Sequence, residues 1–416
     1  MSEWRRVVVT GLGVVTPLGV DVDRLWENVR AGRSGVKSIT AFDASDLPTR
    51  FAATVDDFDP DRWISRKEAR RMDRCTQMAV SAARMALADA CLVEGEFDPY
   101  DVGVSVGTGM GGMHTLEDEH TTFLEGGARR VSPFLAPMMI PNMPAGQVSI
   151  QLGLRGPSRG LATACATGSD CIGEGFGDVH CGRAPVMLAG GVDASITKFV
   201  IAAFCSCKVL SRRNDAPARA SRPFDRDRDG FVMGEGAGVV VLEDRERALA
   251  RGVRIYAEVL GYGATADAFH MTSPDTTGEP MARAMHQALR QAGLPATALD
   301  YLNAHGTSTA LNDKFETRAI KLALGEHAYR LPISSTKSMV GHLIGAAGAV
   351  EFIATVLSIR DGYVHPTINL DNPDPECDLD YVPNVGRAHT VGVAMTNSLA
   401  FGGHNASLVL AHPEAT

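Results

Sequence analysis

Short β-branched runs that end near glycine alternate along this chain with longer, alanine-rich stretches. The continuous apolar runs at 7–10, 102–106, 186–188 and 239–242 predict buried strands. Segments 79–90 and 280–292 carry apolar residues at mixed three- and four-residue steps and predict helices. Such alternation is the pattern of an α/β layered fold. No low-complexity segment or long linker interrupts it, which speaks against loosely tethered domains.

The pattern echoes itself. Residues 161–165 lead into a small-residue helix expected from about Thr167, and residues 333–339 lead into a similar one expected over 341–357. Each half also has a strand that runs into a polar, glycine-rich turn, at 104–112 and at 391–403. Two copies of one α/β unit, meeting near residue 255, account for this and predict an N-terminal half of 1–255 and a C-terminal half of 256–412.

Composition narrows the class. The 416 residues are 45% hydrophobic and 21% charged, so disorder, collagen and coiled coil are excluded and a large core is available. Forty basic against 49 acidic side chains leave a net charge of −9, a poor balance for non-specific nucleic-acid binding. No stretch approaches the roughly 20 apolar residues of a membrane span. Trp4, Arg5 and Arg6 precede an apolar run that stops at Gly11, too short for a signal-peptide core, so a cytoplasmic address is expected. Eight cysteines without paired metal-ligand spacing are read as reduced thiols, and no metal site is expected.

Four segments carry candidate chemistry. Cys165 sits between Ala164 and Ala166, before Thr167, Gly168 and Ser169, where a strand gives way to a helix. Free N–H groups at a helix start lower a thiol pKa, and small neighbours admit an acyl chain, so a nucleophilic thiolate is expected. One cysteine alone is more often a buried structural thiol. Three further segments change that weighting. His305 stands in Asn303-Ala304-His305-Gly306-Thr307-Ser308-Thr309, at a strand-to-loop junction. Lys337 and His342 stand in the mouth of the echoed helix, and the turn from Asn397 through Phe401, Gly402 and Gly403 to Asn405 can present backbone N–H groups.

Together these segments resemble the thiolase-fold condensing enzymes, the beta-ketoacyl-[acyl-carrier-protein] synthases I and II. The likeness runs from Val7-Val8-Val9-Thr10-Gly11-Leu12-Gly13 to Asn405 and includes Arg130-Val131-Ser132-Pro133-Phe134, Ser221-Arg222-Pro223-Phe224-Asp225 and Pro366-Thr367-Ile368-Asn369-Leu370. It implies a thiolase-like fold of two duplicated α/β halves with a layered α-β-α-β-α core. It also implies a decarboxylative Claisen condensation: an acyl group passes from carrier phosphopantetheine to Cys165, then malonyl-carrier protein loses CO2 and attacks the thioester. No metal or organic cofactor is implied, since the substrates ride on the phosphopantetheine of acyl carrier protein.

The same resemblance assigns roles. Backbone N–H groups of Cys165 and Phe401 would face the thioester oxygen, and neutral His305 and His342 would stabilise the enolate. Lys337 and Glu316 would form a pair that orders the histidines, Thr307 and Thr309 would bind the pantetheine arm, and Phe401 would gate the site. Met110 would limit the acyl pocket. Asn303, Glu351, Asn397 and Ser398 fall near a place where some relatives hold a monovalent cation. Carrier docking is implied at Lys67, Arg70 and Arg71, with Arg129 and Arg130 nearby; on one helix, Arg66, Arg70 and Arg74 would share a face. A homodimer is implied, or a heterodimer with a chain-length-factor subunit.

Two departures stand near the expected pocket: Leu399-Ala400 where the family commonly has Phe-Gly, and Cys207 where a larger thioether is usual. They leave open the rival reading of a ketosynthase subunit of a type II polyketide synthase. A non-catalytic partner subunit is disfavoured by Cys165, and a degradative thiolase by the lack of a second cysteine over 397–405.

Overall fold

The structure is a computed structural model that describes residues 4–93 and 95–414. Residues 1–3 and 94 of the expected first half therefore lie outside the described residues.

Ten strands form one sheet. In chain order they are β1 (Val7–Val15), β2 (Val102–Thr108), β3 (Ser158–Arg159), β4 (Val186–Asp193), β5 (Gly236–Asp244), β6 (Ala257–Ala266), β7 (Tyr301–Asn303), β8 (Ile333–Ser334), β9 (Val393–Ala400) and β10 (His404–Ala411). Their spatial order is β8-β7-β9-β10-β6-β1-β5-β4-β2-β3. Read outward from the antiparallel β6–β1 junction, where Val7 lies opposite Val259, the two sides repeat one topology. In the first half β1–β5 and β5–β4 are antiparallel while β4–β2 and β2–β3 are parallel. In the second, β6–β10 and β10–β9 are antiparallel while β9–β7 and β7–β8 are parallel. The chain is a duplicated unit.

This corrects one detail of the echo. The sequence echo pairs 104–112 with 391–403, yet β2 has its counterpart in β7, and β9 has its counterpart in β4. Residues of both glycine-rich turns, Gly109 and Met110 in one and Ala400 and Phe401 in the other, line one cavity.

Six helices matter for the site: α1 (Arg74–Asp89), α2 (Met143–Leu152), α3 (Thr167–His180), α4 (Glu279–Ala292), α5 (Ala310–Leu324) and α6 (Ala347–Asp361). Helices α1 and α2 cover the outer face of the first half, and α4, backed by α5, covers the second. Between the halves, α3 and α6 pack on each other and on strands from both sides, giving the α-β-α-β-α layering. Strands enclosed this way need no polar face, and β1 and β4 are buried along their whole length. Helix α6 is buried from Ala347 through Ile359, as a helix enclosed all round must be. The close approach of the central helices depends on Gly168, where a Cβ would lie 2.7 Å from the Ala349 nitrogen.

Helix α6 starts later than the expected residue 341. Gly341 has φ +72°, and the His342 N–H donates to the Val232 carbonyl at 2.7 Å. Residues 341–346 thus form a separate turn that carries His342, and the helix begins only at Ala347.

Candidate active site

The catalytic candidates sit where β2, β4, β7 and β9 end, a common location for chemistry in parallel α/β sheets. Cys165 lies in a single 3₁₀ turn, Ala164–Ala166, that leads into α3. Ala164 holds φ +49°, a sterically costly conformation for a residue with a Cβ. Thr167 braces the turn: its Oγ1 accepts from the Thr163 N–H at 2.9 Å and donates to the Ala164 carbonyl at 2.8 Å. The Phe401 N–H points at the Cys165 sulfur.

The expected resting thiolate is not what this environment favours. Burial pushes the Cys165 thiol up to about 12, against the opposing pulls of the Lys337 ammonium and the Phe401 N–H. The helix start and its N–H groups help an anion form during reaction, but at neutral pH the sulfur keeps its proton.

His305 follows β7. Its backbone N–H and that of Gly306 both donate to the Glu316 carboxylate, each at 2.7 Å, so a buried acid on α5 clamps the loop. The His305 ring meets Lys337: the ammonium lies 3.0 Å from Nδ1 and 2.5 Å from Glu351 Oε1. Lys337 is therefore paired with Glu351 on α6, and the expected Lys337–Glu316 pair does not form because Glu316 is spent on backbone N–H groups. A lysine ammonium only donates, so Nδ1 of His305 accepts and the neutral ring carries its proton on Nε2.

His342 reaches the same state by another route. Its Nδ1 accepts from the Ile344 N–H at 3.2 Å, which again leaves the proton on Nε2. The two rings are 5.4 Å apart and nearly perpendicular. Burial, reinforced by the Lys337 charge, pushes both histidines well below the usual imidazole range, so both are neutral at pH 7.

A cavity of about 570 Å³ joins these groups. Cys165, His305 and His342 line it together with Met110, Thr307, Thr309 and Phe401. Thr307 and Thr309 face each other, their hydroxyl oxygens 3.0 Å apart. The Phe401 ring leans toward Phe204, which with Phe231 and the exposed Cys207 also lines the cavity. The unusual Ala400 is the last residue of β9, paired with His404 in regular antiparallel register. It needs no glycine-like freedom; Gly402 and Gly403, at φ +85° and +77°, supply it.

Of the four residues named for a cation, Asn303 and Glu351 lie side by side. Asn303 Oδ1 and Glu351 Oε2 are buried without a hydrogen-bond partner among the described residues. Asn397 and Ser398 are otherwise engaged: Ser407 donates to Asn397 Oδ1 and Ser169 bonds the Ser398 hydroxyl, both at 2.8 Å.

The basic patch is partly as expected. Lys67, Arg70, Arg71, Arg129 and Arg130 are all exposed. The helix beneath the first three, Arg66–Ala69, has only four residues, and Asp73 caps a new one by accepting from the Cys75 N–H. Arg74 thus leaves the proposed face; its guanidinium turns inward to Glu235 at 2.8 Å and to the Val55 carbonyl. Arg71 lies over the Phe134 ring at 5.4 Å, which ties the patch to the segment that follows Arg129 and Arg130.

Comparison with known proteins agrees with this geometry. Residues 4–248 match the family model for the beta-ketoacyl synthase N-terminal domain, and residues 256–371 match that for the C-terminal domain. The chain belongs to the beta-ketoacyl synthase family. Among its relatives, a 3-oxoacyl-[acyl-carrier-protein] synthase 2 of Synechocystis sp. is 53% identical over 98% of both chains. Another so named, from Staphylococcus aureus, is 50% identical over the full length of both. A solved beta-ketoacyl synthase from Burkholderia phymatum superposes with a TM-score of 0.91 at 40% identity, covering 98% of this chain and 99% of the other. A type II polyketide ketosynthase, solved in complex with its acyl-carrier protein, gives 0.92 at 36% identity, covering 98% and 100%.

No helix of this family member, among the described residues, is long and apolar enough to cross a membrane. The sequence singled out neither Phe204 and Phe231 in the cavity wall nor Asp193 beside it. An aromatic in an apolar run carries no local mark of which cavity it lines.

Proposed function

We propose that the chain is a 3-oxoacyl-[acyl-carrier-protein] synthase that condenses an acyl group held on Cys165 with malonyl-carrier protein. The observation that carries this is one thiol and two imidazoles lining one cavity, each imidazole with a donor on Nδ1 and so its proton on Nε2.

In the first half-reaction Cys165 attacks the carrier thioester. The C–S bond to pantetheine breaks, and the thiol proton ends on the departing pantetheine sulfur. Negative charge on the carbonyl oxygen is met by the N–H groups of Cys165 and Phe401, the kind of donor pair whose members are each worth roughly a hundredfold in rate. In the second, malonyl thioester loses CO2, and the Nε2–H groups of His305 and His342 donate to the developing enolate oxygen. The enolate carbon then attacks the Cys165 thioester, a C–C bond forms, and the sulfur leaves and takes up a proton. No base is needed, because decarboxylation itself creates the carbanion. Lys337, held by Glu351, keeps His305 in its donor form; Glu316 keeps its loop in place. Thr307 and Thr309 hold the pantetheine arm, and Phe401 turns on the Gly402–Gly403 hinge between the two half-reactions.

The carrier is acidic in this reading, and Lys67, Arg70, Arg71, Arg129 and Arg130 form its landing site. A polyketide role is supported by the ketosynthase likeness, but the curated relatives at 50–53% identity favour fatty-acid duty. Met110 narrows the acyl end of the cavity, so Met110→Ala is expected to lengthen the accepted primer, read from the product profile. Two copies pair along the β3 edge, beside the exposed Ile150.

The deciding experiment separates the half-reactions. Cys165→Ala should abolish acyl loading, read by intact mass, while His305→Ala should spare loading and abolish CO2 release from malonyl-carrier protein. Loading that survives Cys165→Ala would overturn the proposal.

A further inference from the structure

Duplication gives the molecule a second copy of the nucleophile turn. Ala164 at φ +49° opens a 3₁₀ turn through Cys165 into α3, and Ile344 at φ +51° opens one through Gly345 into α6. Gly345 is thus the counterpart of Cys165. In the first half the N–H at this position is available to a thioester oxygen. In the second it is occupied: the Gly345 N–H donates to Asp193 Oδ2 at 2.7 Å. The same oxygen accepts from the Gly109 N–H at 2.9 Å, and Oδ1 accepts from the Ser195 and Thr108 hydroxyls at 3.0 and 3.2 Å. Asp193 is fully buried, so four donors satisfy an anion sealed from water. No side chain fits opposite it, since a Cβ on Gly345 would lie 2.6 Å from Oδ2.

We propose that Asp193 is a positioning residue: its carboxylate fills the second half's anion hole, fixes the Ile344–Gly345 backbone, and so keeps the Ile344 N–H on Nδ1 of His342. The duplicated hole is turned from a binding site into an anchor. Without the anchor the Gly345 N–H loses its acceptor, Ile344 drifts, and His342 is free to place its proton on Nδ1, where it cannot donate to the enolate. Cys165 lies on the other turn, whose backbone Thr167 braces.

This inference rests on the condensing reading, and Asp193→Ala tests it. The truncation removes the oxygen that accepts from the Gly345 and Gly109 N–H groups. We expect the kcat for CO2 release from malonyl-carrier protein to fall roughly tenfold to a hundredfold. Its KM should stay within about twofold, and loading of Cys165 should hold or quicken as a nearby negative charge is lost. A folded variant that releases CO2 at the parent rate, or one that loses loading and CO2 release in parallel, would overturn it. Absence of CO2 release from the parent enzyme would instead sink the condensing reading. Should the variant not fold, ¹⁵N-histidine spectra of the parent, with His342 assigned by its loss in His342→Ala, decide: an Nε2–H ring supports the anchor, an Nδ1–H ring overturns it.

Discussion

At the scale of single residues, the site is governed by which groups are kept uncharged. Cys165 keeps its proton because burial outweighs the pull of Lys337 and the Phe401 N–H, and the two histidines stay neutral for the same reason with the opposite sign. A thiol that titrates near 12 has a thiolate fraction that grows about tenfold per pH unit across the neutral range. The rate of Cys165 alkylation by a small electrophile should therefore still be climbing at pH 10; a plateau near pH 7 would show a resting thiolate instead. Lys337 illustrates why partners matter more than types. The family resemblance implied Glu316, but the ammonium is neutralised by Glu351, and it is this buried pair that fixes the His305 tautomer.

At the scale of elements, short turns carry more of the function than long helices do. The Ala164–Ala166 turn brings the Cys165 thiol to the cavity, and the 341–346 turn brings His342 there before α6 begins. The Arg66–Ala69 helix ends after one turn, because Asp73 caps the next helix and Arg74 is drawn to Glu235. What remains outside is a compact cationic surface from Lys67, Arg70 and Arg71, tied through Phe134 to the 129–130 turn. Such exposed charges steer an acidic partner rather than stabilise the fold. Lys67→Glu with Arg70→Glu should raise KM for carrier-bound substrate severalfold while leaving turnover of a pantetheine mimic unchanged. Equal loss with both substrates would remove the docking assignment.

At the scale of the whole molecule, duplication explains the site. Each half brings one helix-start turn to the middle; one bears the thiol, while the other holds an aspartate and presents His342. The candidate set is split across the halves, which meet where α3 packs on α6. Ile150 on α2 remains exposed beside the β3 edge, where Ser149 meets Ser158, and an unpaired strand edge with an exposed apolar neighbour suits a second copy of the chain. Sedimentation of the pure chain should give twice the chain mass, and Ile150→Glu should shift it toward monomer; a parent that sediments as a monomer would exclude the homodimer.

The sequence by itself determined the α/β class, the duplication, the strands at 7–10, 102–106, 186–188 and 239–242, and the thiol, the two imidazoles and the glycine turn, because periodicity and residue chemistry are local properties. Strand pairing, the Lys337–Glu351 pair, the inward turn of Arg74, the burial of Cys165 and the contacts of Asp193 with Gly345 and Gly109 come only from tertiary structure. Each depends on which groups distant in the chain are sealed together away from water, where a neighbour's charge and a hydrogen-bond donor weigh far more than any local preference.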